Sequence, residues 1–244
     1  MNNWFGLSSP TEIESNYLAK VNRGFLWLLF SHIPIIGILP FFFGTSLFQG
    51  LVLFVLTLSV PIWMTMISPG SRFTSCILGF SGICVSGILI HLSNGMIEFH
   101  FHIFVVLAWM IVFGNPWALL TAAATAAVHH LAFYFILPSS VFNYQAGISI
   151  VLLHAAFVVA ETAVNLVVTL RIHRMIASQS LFKVNAEAVR KSVNEMADQF
   201  SDSAGKLHVQ SKNLQSAASS VTEINTKVSD TANNALEASK AGVQ

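Results

Sequence analysis

Residues 96–137 read MIEFHFHIFVVLAWMIVFGNPWALLTAAATAAVHHLAFYFIL. Forty-two residues carry a single charge, Glu98. Gly114-Asn115-Pro116 breaks the run, because Gly and Asn end helices and Pro opens them. Either side of that break lies an apolar segment near the roughly 20 residues a helix needs to cross a bilayer. The same composition extends in both directions. Between 24 and 170 the only charges are Arg72, Glu98 and Glu161, whereas 171–244 holds sixteen. The whole chain is 54% hydrophobic and 9% charged, where a soluble domain is nearer a quarter charged. This excludes an ordinary soluble enzyme, a nucleic-acid binder and a disordered chain. A net charge of +1 gives no field to draw an acidic partner.

Turn chemistry divides the apolar block into six predicted spans: 24–43, 47–67, 73–92, 96–113, 117–137 and 146–170. The breaks are Gly44-Thr45-Ser46, Ser68 to Ser71, Ser93-Asn94-Gly95, Gly114 to Pro116, and Pro138 to Tyr144. Lys20 and Arg23 precede the first span, Arg72 lies between the second and third, and Arg171, Arg174 and Lys183 follow the sixth. The alternate loops carry no Lys or Arg, so the positive-inside rule predicts both termini in the cytoplasm and Asn94 outside. The expected fold is an all-α membrane protein. It has a cytoplasmic segment at 1–23, a six-span domain at 24–170 and a cytoplasmic helix at 171–244. The first 23 residues are too polar for a signal peptide. Cys76 and Cys84, eight apart in an apolar run, read as two reduced, buried thiols.

The tail carries a heptad pattern. Ala186, Val193, Phe200, Leu207, Leu214, Val221, Val228 and Ala235 recur every seven residues. A second row follows three residues later, from Val189 and Met196 to Thr231 and Ala238. Seven heptads without a stutter predict a coiled coil, and therefore a homodimer. Ser203, Gln210 and Thr231 in the seam weaken it, which suits a bundle that can change its packing.

The stretch Ala217-Ala218-Ser219-Ser220-Val221-Thr222-Glu223-Ile224, followed by Val228 to Ala235, resembles the descending cytoplasmic helix of bacterial methyl-accepting chemotaxis proteins. That resemblance implies a dimeric helix with methylated Glu or Gln sites, an inner-membrane location, and a kinase and adaptor bound at a hairpin tip. The tip and returning helix do not appear before Gln244, so the resemblance implies a receptor cut short. The membrane half, through His91, Gly95, Ile97-Glu98-Phe99-His100-Phe101-His102 and His129-His130, resembles a six-span sensor module found ahead of chemoreceptor, histidine-kinase and diguanylate-cyclase outputs.

Seven of the nine histidines lie within 24–170. Ionisable groups are costly there, so each is a functional candidate. At 1.5 Å per residue, His102, His129, His130 and His154 fall at one depth in the outer half of the bilayer, with Glu98 above them. Glu98 and His102, four apart, share a face, and His100 points away from it. Imidazoles with a carboxylate between facing helices are how bundle metal sites are built. The predicted metal ligands are Glu98, His102, His129, His130 and His154, holding Cu, Fe or Zn. His91, His100 and Glu161 are further ligands or proton partners. Haem held by His102 and His154 is the alternative cofactor. His173 and His208 are expected in solvent.

Two functions follow. The first is a receptor, not an enzyme, passing a signal from the histidine site through the last span to the tail. The second is a membrane metalloenzyme of oxidase or hydroxylase type, or a haem redox protein, with a dimerising tail.

Overall fold

The structure, a computed structural model, describes residues 10–241. Nine residues of the expected 1–23 segment, and residues 242–244 of the tail, lie outside the described part. The described residues are helical, with no strand among them: α1 (Glu12–Phe30), α2 (Ile33–Phe43), α3 (Leu47–Ile67), α4 (Arg72–Leu92), α5 (Ile97–Trp109), α6 (Pro116–Ile136) and α7 (Ile148–Ala241). Single 3-10 turns occupy Met110–Phe113 and Pro138–Ser140. The stretch Glu12–Phe43 and helices α3, α4, α6 and α7 are long and apolar enough to cross a membrane, and Ile97–Phe113 is shorter. The perimeter agrees with a membrane protein. Phe41, Phe42, Phe48, Met66 and Ile136 are each more than three-quarters exposed, an apolar surface that water does not tolerate.

The helix starts are the predicted breaks. Ser46 accepts from Gln49 N–H, Ser71 from Phe73 N–H, and Asn115 from Trp117 N–H with Pro116 as first helical residue. Each side chain satisfies a backbone donor that the helix leaves open. Two boundaries differ from expectation. The first helix starts at Glu12 rather than 24, capped by Thr11 with Glu12 and Glu14 in its first turn, where the helix dipole favours acids. The stretch expected as one span, 24–43, is broken at Ser31-His32. Pro34 has no N–H to give the carbonyl four residues back.

α4 is the central helix, flanked by α1, α3, α5 and α6. Its sequence is rich in small residues, which allows backbones to approach. A Cβ on Gly79 would stand 2.8 Å from the Ala118 carbonyl of α6, and one on Gly82 3.0 Å from Val106 of α5. Phe25, Leu29, Leu58, Val106 and Leu119 close around Leu78 and Leu89 of α4.

A polar network ties the Arg72 end of the bundle. Arg72 donates to both carboxylate oxygens of Glu14, at 2.5 and 2.6 Å, with both side chains mostly buried. Asn22 donates to the Pro69 carbonyl at 2.6 Å and accepts from Ser75 at 2.9 Å. Asn115 donates to the Arg72 carbonyl at 3.0 Å, and Tyr17 donates to the Val112 carbonyl. At the other end Asn94 donates to the Phe43 carbonyl and Thr45 to that of Leu92.

Two units divide at Lys183/Val184, thirteen residues beyond the expected boundary at 170. The reason is contact. Ile176 is buried, Ser180 hydrogen-bonds Thr11 at 2.8 Å, and His173 donates through Nδ1 to the Gly114 carbonyl at 3.1 Å. His173, expected in solvent, is half-buried instead. His208 is exposed as expected. The second unit, Val184 onward, is α7 alone. Every described side chain in it is exposed, including Phe200, Leu207, Leu214, Val221 and Val228 of the heptad seam. Intrahelical pairs Asp202–Lys206 and Glu223–Lys227, each at 2.7 Å, support it.

Candidate functional site

The rings of His100, His130 and His154 come together from α5, α6 and α7. Their centroids are 5.3 Å apart for His100–His130, 5.6 Å for His100–His154 and 6.0 Å for His130–His154. Each ring is anchored identically. Nδ1 donates to the carbonyl four residues earlier: Met96 at 3.1 Å, Ala126 at 3.0 Å and Ile150 at 2.8 Å. A carbonyl only accepts, so Nδ1 carries the proton in all three, and Nε2 keeps a free lone pair. His100 and His130 are 3% and 7% exposed, and their Nε2 atoms are buried with no hydrogen-bond partner among the described residues. Two buried orphan acceptors in one cluster demand an explanation, because native structures rarely leave such atoms unpaired.

The cluster sits at one end of a cavity of about 590 Å³ between α5, α6 and α7. The remaining wall is aliphatic and aromatic, with Ile103, Phe104, Leu131, Val151 and Val158, and small where Ala123, Ala124, Ala126 and Ala127 of α6 face it. Among the described residues its one other polar lining residue is Thr162, whose buried hydroxyl also lacks a partner there. Volume and lining are those of a ligand pocket. The loop after α6 closes the cluster from the Asn94 end. Phe142, buried, stacks on His100 at 5.9 Å and 19° and meets His154 edge-on at 5.9 Å. Gly95 makes this closure possible. Its φ is +74°, and a Cβ there would lie 2.6 Å from the Phe142 nitrogen. His91, bonded to Ser140 at 2.7 Å, holds the same loop.

The predicted residues therefore separate. His130 and His154 meet, as their common depth implied. The third member is His100, which the sequence reading had turned away, and not His102. His102 faces the opposite side of α5. There Ser86 of α4 pairs with its Nδ1 at 2.8 Å, and its Nε2 lies 3.0 Å from Nε2 of His32. His32 Nδ1 donates to the Leu28 carbonyl at 2.9 Å, which leaves its Nε2 to accept from His102. The turn at Ser31-His32 is what aims His32 there. His129 lies beside His130, with its Nε2 2.7 Å from where a Cβ on Gly87 would stand. Glu98 is exposed and Glu161 lies outside the cavity lining, accepting from Asn165 at 3.4 Å. Neither carboxylate joins the three rings. His32, alone in its span by sequence, is the partner that His102 finds instead.

Among the described residues, no three His, Cys, Asp or Glu side chains stand ready-made around one metal-sized point. No protein-family model, curated protein or solved structure matches this chain.

Proposed function

We propose that the protein is a transmembrane signal transducer with six helices across a bacterial inner membrane and both termini in the cytoplasm. The cavity at His100, His130 and His154 is its sensory site, and α7 is its output. One observation carries this reading: α7 supplies His154 and Thr162 to the cavity and carries the heptad seam on the same helix. α7 stands across the cavity from α5 and α6, so an occupant that draws the three walls together displaces it. His173 on Gly114 and Ser180 on Thr11 restrain α7 at the Arg72 end, and so provide a fulcrum. A small movement of one packed element, amplified by a second element with two packings, is an established route for switching. Weak seam residues such as Ser203 and Thr231 favour such a two-packing dimer. The resemblance to chemoreceptor helices supports a kinase and its adaptor as downstream partners.

Cross-linking tests the reading. Leu214→Cys is oxidised in native membranes in an otherwise wild-type background and with Ala123→Phe, which fills the cavity without touching a histidine. A coupling of 1–3 kcal/mol corresponds to about 5–150-fold in an equilibrium, so the dimer cross-linking rate is expected to shift at least about fivefold. An unchanged rate, with helix content by circular dichroism also unchanged, would mean that cavity and tail are not coupled.

A further inference from the structure

We propose that the three-histidine cluster is a copper(I) site, with Nε2 of His100, His130 and His154 as its ligands. This rests on reading the cavity as the sensory site, and it names what that site receives.

The first support is spacing. With a metal–nitrogen bond of 2.0–2.1 Å, an imidazole centroid lies about 3.2 Å from the ion, and three ligands in a trigonal plane put their centroids about 5.5 Å apart. The observed spacings are 5.3, 5.6 and 6.0 Å. In the structure the three Nε2 atoms do not yet surround one point, and binding brings them together by small shifts and rotations of the three helices, each carrying its ring with the Nδ1–carbonyl bond intact. The second support is the tautomer. A metal-bound imidazole characteristically donates its other N–H to a carbonyl or carboxylate, which fixes the ring and frees the ligating nitrogen. All three histidines already do this, each to its own helix. The third support is the pair of orphan acceptors. Nε2 of His100 and of His130 is buried without a partner, and one cation satisfies both.

Charge selects the metal. The cavity wall is apolar, and its described residues include no carboxylate or thiolate to neutralise an ion. The desolvation cost of an ion rises with the square of its charge, so a divalent ion costs about four times as much as a monovalent one here. Three neutral imidazoles suit copper, zinc, iron and nickel alike. Among these, copper is the one with a stable monovalent form. Haem does not fit. If any two of the rings bound its iron axially, the third would lie about 5 Å from the iron near the plane of the macrocycle, in the space the porphyrin occupies.

The test uses the full chain in detergent, without oxygen, titrated with Cu(I) against a chromophoric chelator and, separately, with Zn(II). One Cu(I) per chain is expected, with about three nitrogen neighbours by X-ray absorption. Losing a supporting hydrogen bond already weakens a metal site by about 10–100-fold, so His100→Ala, His130→Ala and His154→Ala should each lower Cu(I) affinity more than about a hundredfold. His102→Ala, on the other side of α5, should leave it unchanged. His154→Met keeps bulk in the core and offers a thioether, so it should retain Cu(I) within about tenfold. Wild-type protein that stays folded and binds no Cu(I) would overturn the proposal. So would equal losses in His102→Ala and His130→Ala, or tighter binding of Zn(II) than of Cu(I). Failure here is separable from failure of the receptor reading. No copper, with Ala123→Phe still shifting Leu214→Cys cross-linking, removes the metal and keeps the receptor. Copper bound with unmoved cross-linking does the reverse.

Discussion

Glu14 and Arg72 show how a single residue pair can hold this bundle. Neither is well solvated, and the guanidinium meets both carboxylate oxygens. Removing one partner of a buried pair strands the other, at a cost of about 3–5 kcal/mol, while replacing both by apolar groups is often neutral. Glu14→Ala is therefore expected to lower the thermal midpoint in detergent by many degrees. The double variant Glu14→Ala with Arg72→Met should recover most of the loss. Additive losses in the two single variants and the double would show that the pair contributes nothing. The three imidazoles obey the same logic in reverse. Their Nδ1 protons are spent on their own helices, and that local bond makes each Nε2 available.

At the scale of the element, α7 is two different helices in sequence. Its first part buries a narrow stripe through Val151, Thr162, Asn165, Thr169 and Ile176. The Thr162 and Thr169 hydroxyls on that stripe are buried and unpaired among the described residues. Each such group costs about 1–3 kcal/mol in desolvation. Thr169→Val should therefore leave thermal stability equal or raise it. A clear loss would mean that the hydroxyl finds a partner across a dimer. The second part exposes its whole heptad seam, and a lone helix gains most of its stability from packing an apolar face. Leu214→Cys, in the seam, should cross-link between subunits, and Ala218→Cys, four positions on, much less. Equal yields would deny a specific seam.

For the whole molecule, the distribution of Lys and Arg makes the topology testable. Cys at Asn94 should react with an impermeant maleimide added outside intact cells, and Cys at Ser71 should react after permeabilisation alone. The opposite pattern would reverse every depth assigned to the histidines.

What the sequence determined is what depends on neighbours along the chain. The apolar runs, the breaks at Ser46, Ser71 and Asn115, and the uninterrupted helix of the tail are all local, and each appears at or near its expected place. The level of a residue along its helix was also legible, since rise per residue is fixed, and it brought His130 and His154 together. Azimuth was not. Glu98 and His102 were grouped because residues four apart share a helix face, but that rule cannot say which face α5 turns to which neighbour. The choice is made by packing. α4 presents Gly82 and Ser86 to one side of α5, where His102 settles with His32, and the other side, bearing His100, is left to α6 and α7. The start of the first helix at Glu12 follows from its local cap, Thr11, whereas tertiary structure moved the boundary from 170 to 183, through a polar contact between segments more than 50 residues apart, Thr11 with Ser180. No pattern of period 3.6 or 7 encodes such a contact.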